Sequence, residues 1–154
     1  MQLFEWNHDA QLPWALLKDE RHAGVGRLVR DLNFLYRAQP ALHRLDCEAR
    51  GFEWLVSDDR EQSVFAWLRR DEQEAMVLVV SNLTPVSHTG YRLGVPPGVL
   101  CWREFLNTDS AYYGGSNQGQ GAAALPTQAI GSHGRSCSLC LTLPPLATIF
   151  LVPA

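Results

Sequence analysis

The strongest constraint on how this chain can fold is a succession of short apolar runs broken by turn-forming residues. Residues 52–56, 63–68, 76–80, 91–93, 101–106, 138–143 and 147–152 alternate with period two or run continuously apolar, and are rich in β-branched and aromatic side chains. Ser57-Asp58-Asp59, Arg70-Asp71-Glu72, Pro96-Pro97-Gly98 and Pro144-Pro145 supply turn chemistry between them. Short strands recurring about every ten residues predict an antiparallel β-sandwich or barrel. The stretch 112–121 is too glycine-rich for a strand and reads as a surface loop.

A different pattern precedes residue 45. Val25, Leu28, Val29, Leu32, Leu35 and Tyr36 recur at helical spacing, with Arg27, Arg30, Asp31, Asn33 and Arg37 on the other face and Pro40 as a stop. This predicts a helix over 22–38 with one apolar stripe, preceded by a short turn near Leu16 and Leu17. The chain therefore divides into a loop-and-helix segment, 1–45, and an all-β segment, 46–154. No partner for the apolar stripe is evident within the sequence, and a single helix ahead of a sandwich often belongs to a preceding domain.

Composition narrows the function classes. The formal net charge of −3, without a basic run, offers no surface for nucleic acid. No window approaches the ~20 apolar residues of a membrane span. The opening residues lack the basic and apolar regions of a secretory signal, so a cytoplasmic protein is expected. Cys47, Cys101, Cys137 and Cys140 are expected to be small buried hydrophobes of a reducing compartment. Cys137 and Cys140, three apart in a strand, should point to opposite faces, which disfavours a redox or zinc motif. Most of the five tryptophans and four tyrosines are expected to fill the core.

Motifs for chemistry are sparse. The Gly-rich loop ends without the lysine of a phosphate-binding loop. His8, His22, His43, His88 and His133 make no metal-ligand spacing, and no cofactor or metal is implied. Glycoside chemistry needs two carboxylates about 5–10 Å apart. Glu5 and Asp9 lack a motif marking them as such a pair, and Glu53 and Glu104, alternating with aromatics, should face water.

A resemblance extends this reading. Phe4-Glu5-Trp6-Asn7-His8-Asp9 with Leu12-Pro13-Trp14 and Leu16-Leu17 is similar to a segment that follows the last barrel strand of bacterial glycogen branching enzymes of the α-amylase superfamily. Leu28-Val29-Arg30-Asp31-Leu32-Asn33, Gly51-Phe52-Glu53-Trp54, Asn82-Leu83-Thr84-Pro85, Leu106-Asn107-Thr108-Asp109, Tyr113 to Asn117 and His133-Gly134-Arg135 continue it in order. Around residues 123–131 the chain departs from the family, with Gly131-Ser132 where a tryptophan commonly stands.

The resemblance implies the last loop and helix of a truncated (β/α)8 barrel, followed by a mainly β, C-terminal antiparallel sandwich. It also implies an enzyme that moves α-1,4-glucan segments to α-1,6 branches, as in glycogen biosynthesis, through three barrel carboxylates. None of their motifs occurs here, so no catalytic residue is assigned and the isolated chain is expected to be inactive. The implied partners are α-glucan (glycogen, amylose) and the missing catalytic barrel, normally in the same chain. Trp6 and Trp14, with Asn7, His8 and Asp9, are the expected glucan contacts at the barrel's C-terminal face. A free-standing glucan-binding or structural module is the alternative.

Overall fold

In the computed structural model, which describes residues 8, 9 and 11–154, the apolar runs all become strands. In chain order these are β1 Phe52–Asp59, β2 Val64–Arg70, β3 Met76–Asn82, β4 His88–Val95, β5 Cys101–Asn107, β6 Leu125–Pro126, β7 Cys137–Leu143 and β8 Ala147–Pro153. They form an antiparallel six-stranded sheet, β1-β2-β3-β8-β5-β6, and a two-stranded sheet, β4-β7.

The two sheets face each other across the main core. Ala66, Leu68, Leu78, Val80, Trp102, Ile149 and Leu151 of the large sheet meet Leu93, Val95, Leu139, Leu141 and Leu143 of the small one. Alternation along β3 sends Val77 and Val79 to the opposite, outer face. There they join Val152, Ala41 and the half-buried Leu42, Trp67, Phe105 and Phe150. Burial on both faces is why 76–80 reads as one apolar run.

Two details differ from expectation. Ser57-Asp58-Asp59 belongs to β1 rather than to a turn, because register shifts after Trp54 and Val56 lengthen the strand. The turn itself falls later, where Asp59 Oδ1 accepts from Gln62 N at 3.1 Å. Strand β6 is too short to show a period. It pairs with Cys101 and Trp102 at the sheet edge, where Pro126 is tolerated.

The helix, α1, spans Glu20–Ala38, after a 3₁₀ turn at Trp14–Lys18. Asp19 caps it by accepting from Arg21 N at 2.9 Å, and Gln39 leaves it in extended conformation before Pro40. The apolar stripe does have a partner within the chain, but only along one edge. Gly24 and Leu35 are buried, Leu28 and Leu32 are half-buried, and Val25 and Val29 remain 60% and 52% exposed.

Leu35 packs beside the outer sheet face, while the helix's N-terminal half meets the loop after β5. Arg27 Nε donates to Tyr112 O at 2.8 Å and its guanidinium lies over the Tyr112 ring. Tyr113 Oη donates to Asp31 Oδ2 at 3.0 Å. A Cβ at Gly24 would overlap the Tyr113 carbonyl, so only glycine permits this approach.

The loop is held in shape by one carboxylate. Asp109, 9% exposed, accepts from Ser116 N at 2.8 Å, Ser116 Oγ at 2.7 Å and Gln118 N at 2.9 Å. Asp109→Ala leaves these donors without their acceptor. It is expected to lower unfolding free energy by about 2–3 kcal/mol, read as a reduced urea midpoint. Gly24→Ala should raise hydrogen exchange of α1 amides while those of β3 and β8 stay protected; equal protection in both would contradict the contact described.

Candidate functional site

Alternation in β1 and β2 places Phe52, Trp54, Phe65 and Trp67 on the outer face of the large sheet, opposite Val64, Ala66 and Leu68. Trp54 and Trp67 are cross-strand partners, with ring centroids 5.9 Å apart at 72°. Phe52 meets Trp54 edge-on at 5.0 Å, and Phe65 lies 6.2 Å from it. Trp54 is 52% exposed. Beyond Phe65 the strip runs into a pocket lined by Ser57, Asp58, Asp59, Arg60, Ser63 and Leu83. Aromatic faces next to hydroxyl and carboxylate groups can stack the C–H faces of a sugar and bond its hydroxyls.

Sequence reasoning missed this strip. Most aromatics were expected inside, which holds for Trp102 and Tyr91 but not for Trp54 or Trp14. The alternation Phe52-x-Trp54 and Phe65-x-Trp67 was the available signal, but the facing of the two strands depends on their pairing.

Of the expected glucan contacts, Trp6 and Asn7 lie outside the described residues, as does Glu5. His8 and Asp9 are exposed neighbours, with Nε2 to Oδ1 at 3.4 Å. Trp14 opens the 3₁₀ turn, 69% exposed. The cysteine expectation needs correcting: all four are free, but Cys47 and Cys140 are exposed and Cys101 is half-buried. Cys47 sits in a surface turn, and Cys140 points away from the core on the strand where Cys137 points in. Among the described residues no cluster of His, Cys, Asp or Glu could hold a metal ion, and no helix is long and apolar enough to cross a membrane.

The strand carboxylates do not simply face water. Glu53 pairs with Arg70 at 3.0 Å and with Arg135 from the turn before β7. Burial works to raise its pKa, but hydrogen bonds from Arg70 and Arg135 outweigh it and hold the carboxyl below its ordinary range. Glu104 is pushed up by burial, against a hydrogen bond from Gln120 N at 3.2 Å. These are one tight ion-pair cluster on β1 and one desolvated acid on β5.

Comparison with known proteins places the chain. Residues 54–154 match the family described as alpha amylase, C-terminal all-beta domain, and the chain belongs to that family. It is 57% identical over 96% of its length to the 1,4-alpha-glucan branching enzyme GlgB of Cupriavidus pinatubonensis. The enzyme of the same name from Ralstonia nicotianae is 54% identical over 97% of this chain. The chain spans only 20% of either relative's length. Among solved structures, the alpha-amylase from H. orenii covers 81% of this chain at 17% identity with a TM-score of 0.46, over 19% of its own length.

The two carboxylates respond oppositely to pH. A folded pKa below the unfolded one makes Glu53 stabilising above the ordinary glutamate range, a contribution lost as pH falls through the folded value. The raised pKa of Glu104 favours the folded state at low pH, an advantage lost as pH rises through the folded value. At pH 7, Glu53→Gln is expected to destabilise by about 1 kcal/mol, a figure discounted for its partial exposure. Glu104→Gln should stabilise at pH 7 and lose that gain towards pH 4, so the acid limb becomes steeper. Urea midpoints at pH 4 and pH 7 measure both, and shifts of the same sign at pH 7 would refute the assignment.

Proposed function

We propose that this chain is the C-terminal part of a glycogen branching enzyme, dividing near residue 45 into the end of a catalytic barrel and the C-terminal sandwich. The parent enzyme transfers α-1,4-glucan segments onto α-1,6 branch points. Its nucleophile and acid/base lie outside this chain, whose strand carboxylates Glu53 and Glu104 are an ion-paired group and a desolvated acid.

One observation carries the assignment of role: α1 is seated on the sandwich by one edge and leaves Val25 and Val29 exposed, as are Leu17 and Trp14 of the preceding 3₁₀ turn. An aliphatic ridge of this kind suits packing against further strands, which supports barrel closure as the work of residues 11–38. The sandwich braces that helix from behind. The aromatic strip at Trp54 supports a second contribution, direct contact with the α-glucan, alongside Trp6 and Trp14. The same strip is what favours the alternative of a free-standing glucan-binding module.

The purified chain is expected to leave the iodine absorbance of amylose unchanged. Mixed with the upstream barrel portion of a relative's branching enzyme, it should restore the fall in absorbance that marks branching. Val25→Asp with Val29→Asp should remove that rescue without unfolding the sandwich. Trp54→Ala should weaken retardation in amylose-containing gels severalfold and leave rescue intact. Retardation without any rescue would favour the free-standing module instead.

A further inference from the structure

On the far side of Asp59 lies a second pocket, of different character. Asp59, Gln62, Ser87, His88, Thr89, Gly90, Tyr91, Arg92 and His133 line it. Every one of these except Gly90 carries a hydrogen-bonding side chain, and none is aliphatic. Its volume of about 590 Å³ falls within the ~300–1,000 Å³ usual for small-ligand sites.

The groups in it are held in place. Asp59 accepts from Gln62 N through Oδ1 and from Tyr91 Oη, at 2.9 Å, through Oδ2. Arg92 is steadied by Gln128 Oε1 at 2.8 Å and Ser138 Oγ at 2.9 Å. His133 adopts a left-handed backbone, φ 48°, and lays its ring against Tyr91 at 6.2 Å and 26°. Such a conformation is costly for a residue with a side chain, and persists where its surroundings impose it. Gly94 makes the placement possible, since a Cβ there would overlap the Ser132 carbonyl.

Donors and acceptors remain for a ligand. Nδ1 of His133 accepts from Gly94 N at 3.3 Å, so the neutral ring carries its hydrogen on Nε2, which has no partner among the described residues. Ser87 Oγ is buried without any partner, a state that normally calls for a ligand or water. The hydroxyl of Thr89 and the side-chain amide of Gln62 are likewise without partners among the described residues. Formal charge in the pocket cancels between Asp59 and Arg92. A lone guanidinium already engaged by Gln128 and Ser138, in a pocket that also holds a carboxylate, is a poor phosphate site, whereas mixed donors and acceptors beside a flat ring suit a neutral polyhydroxyl ligand.

We propose that this pocket between the β1–β2 turn, the start of β4 and the His133 turn binds one or two glucosyl units of an α-glucan. This rests on the reading that the parent enzyme acts on α-glucan, and adds a polar subsite separate from the aromatic strip. Asp59 and Gln62 meet sugar hydroxyls as acceptor and amide, Thr89 and His133 Nε2 donate, and the His133 ring offers a face to the pyranose.

The test is a titration of the labelled chain with maltotriose, following the His88 ring and Trp54 indole signals by NMR. The His88 signal is expected to move saturably. Thr89→Ala and His133→Ala, checked for wild-type spectral dispersion, should each weaken that binding roughly five- to tenfold, as loss of a hydrogen bond predicts. Trp54→Ala should leave it unchanged. If maltotriose saturates the Trp54 signal while His88 stays still, the pocket is refuted and glucan contact at the strip stands. If neither signal responds at high concentration, both fail. A response of His88 to inorganic phosphate but not to maltotriose would also overturn the proposal.

Discussion

Strand β3 has apolar side chains on both faces, and the rest of the molecule is arranged around that fact. The small sheet covers Leu78 and Val80. Something else must cover Val77 and Val79, and the segment around Ala41 and Leu42 does so, with the C-terminal half of α1 beside it. Burying a leucine such as Leu35 is worth about 1.5–3 kcal/mol, more than each partly exposed polar contact at the other end of the helix, about 1 kcal/mol. Apolar burial therefore seats the helix, while the Tyr112 and Tyr113 contacts decide its direction.

Direction matters because it sets what is left uncovered. With Gly24 against Tyr113 and Arg27 against Tyr112, the ridge of Val25 and Val29 turns away from the sandwich. The shape of the loop that presents these tyrosines depends on Asp109, a buried carboxylate whose acceptor sites are taken up by backbone and serine donors. A glycine-rich stretch without a pattern of its own thus becomes the bracket between helix and sheet.

Two of the apolar surfaces exposed among the described residues differ in kind. On α1 they are aliphatic and ridged, a form that interdigitates with other side chains. On β1 and β2 they are aromatic rings, edged by hydroxyl and carboxylate groups. Under the proposed function the first meets protein and the second meets sugar. The helix covers one end of the outer sheet face and stops short of the other, so both surfaces coexist on a chain of 154 residues.

Strands and helix were legible in the sequence because their signals are local: period two in 63–68, period 3.6 from Val25 to Tyr36, a capping Asp19 and a stopping Pro40. Family membership was legible too, from ordered motifs between Phe4 and Arg135. The tertiary structure alone decided which faces meet. The register shift at Leu55 aligned Trp54 with Trp67, Glu53 found Arg135 across 82 positions of chain, and His133 came to rest on Tyr91. Periodicity reports which side a residue occupies on its own element. Which elements cover that side depends on contacts between distant segments, and no local pattern encodes those.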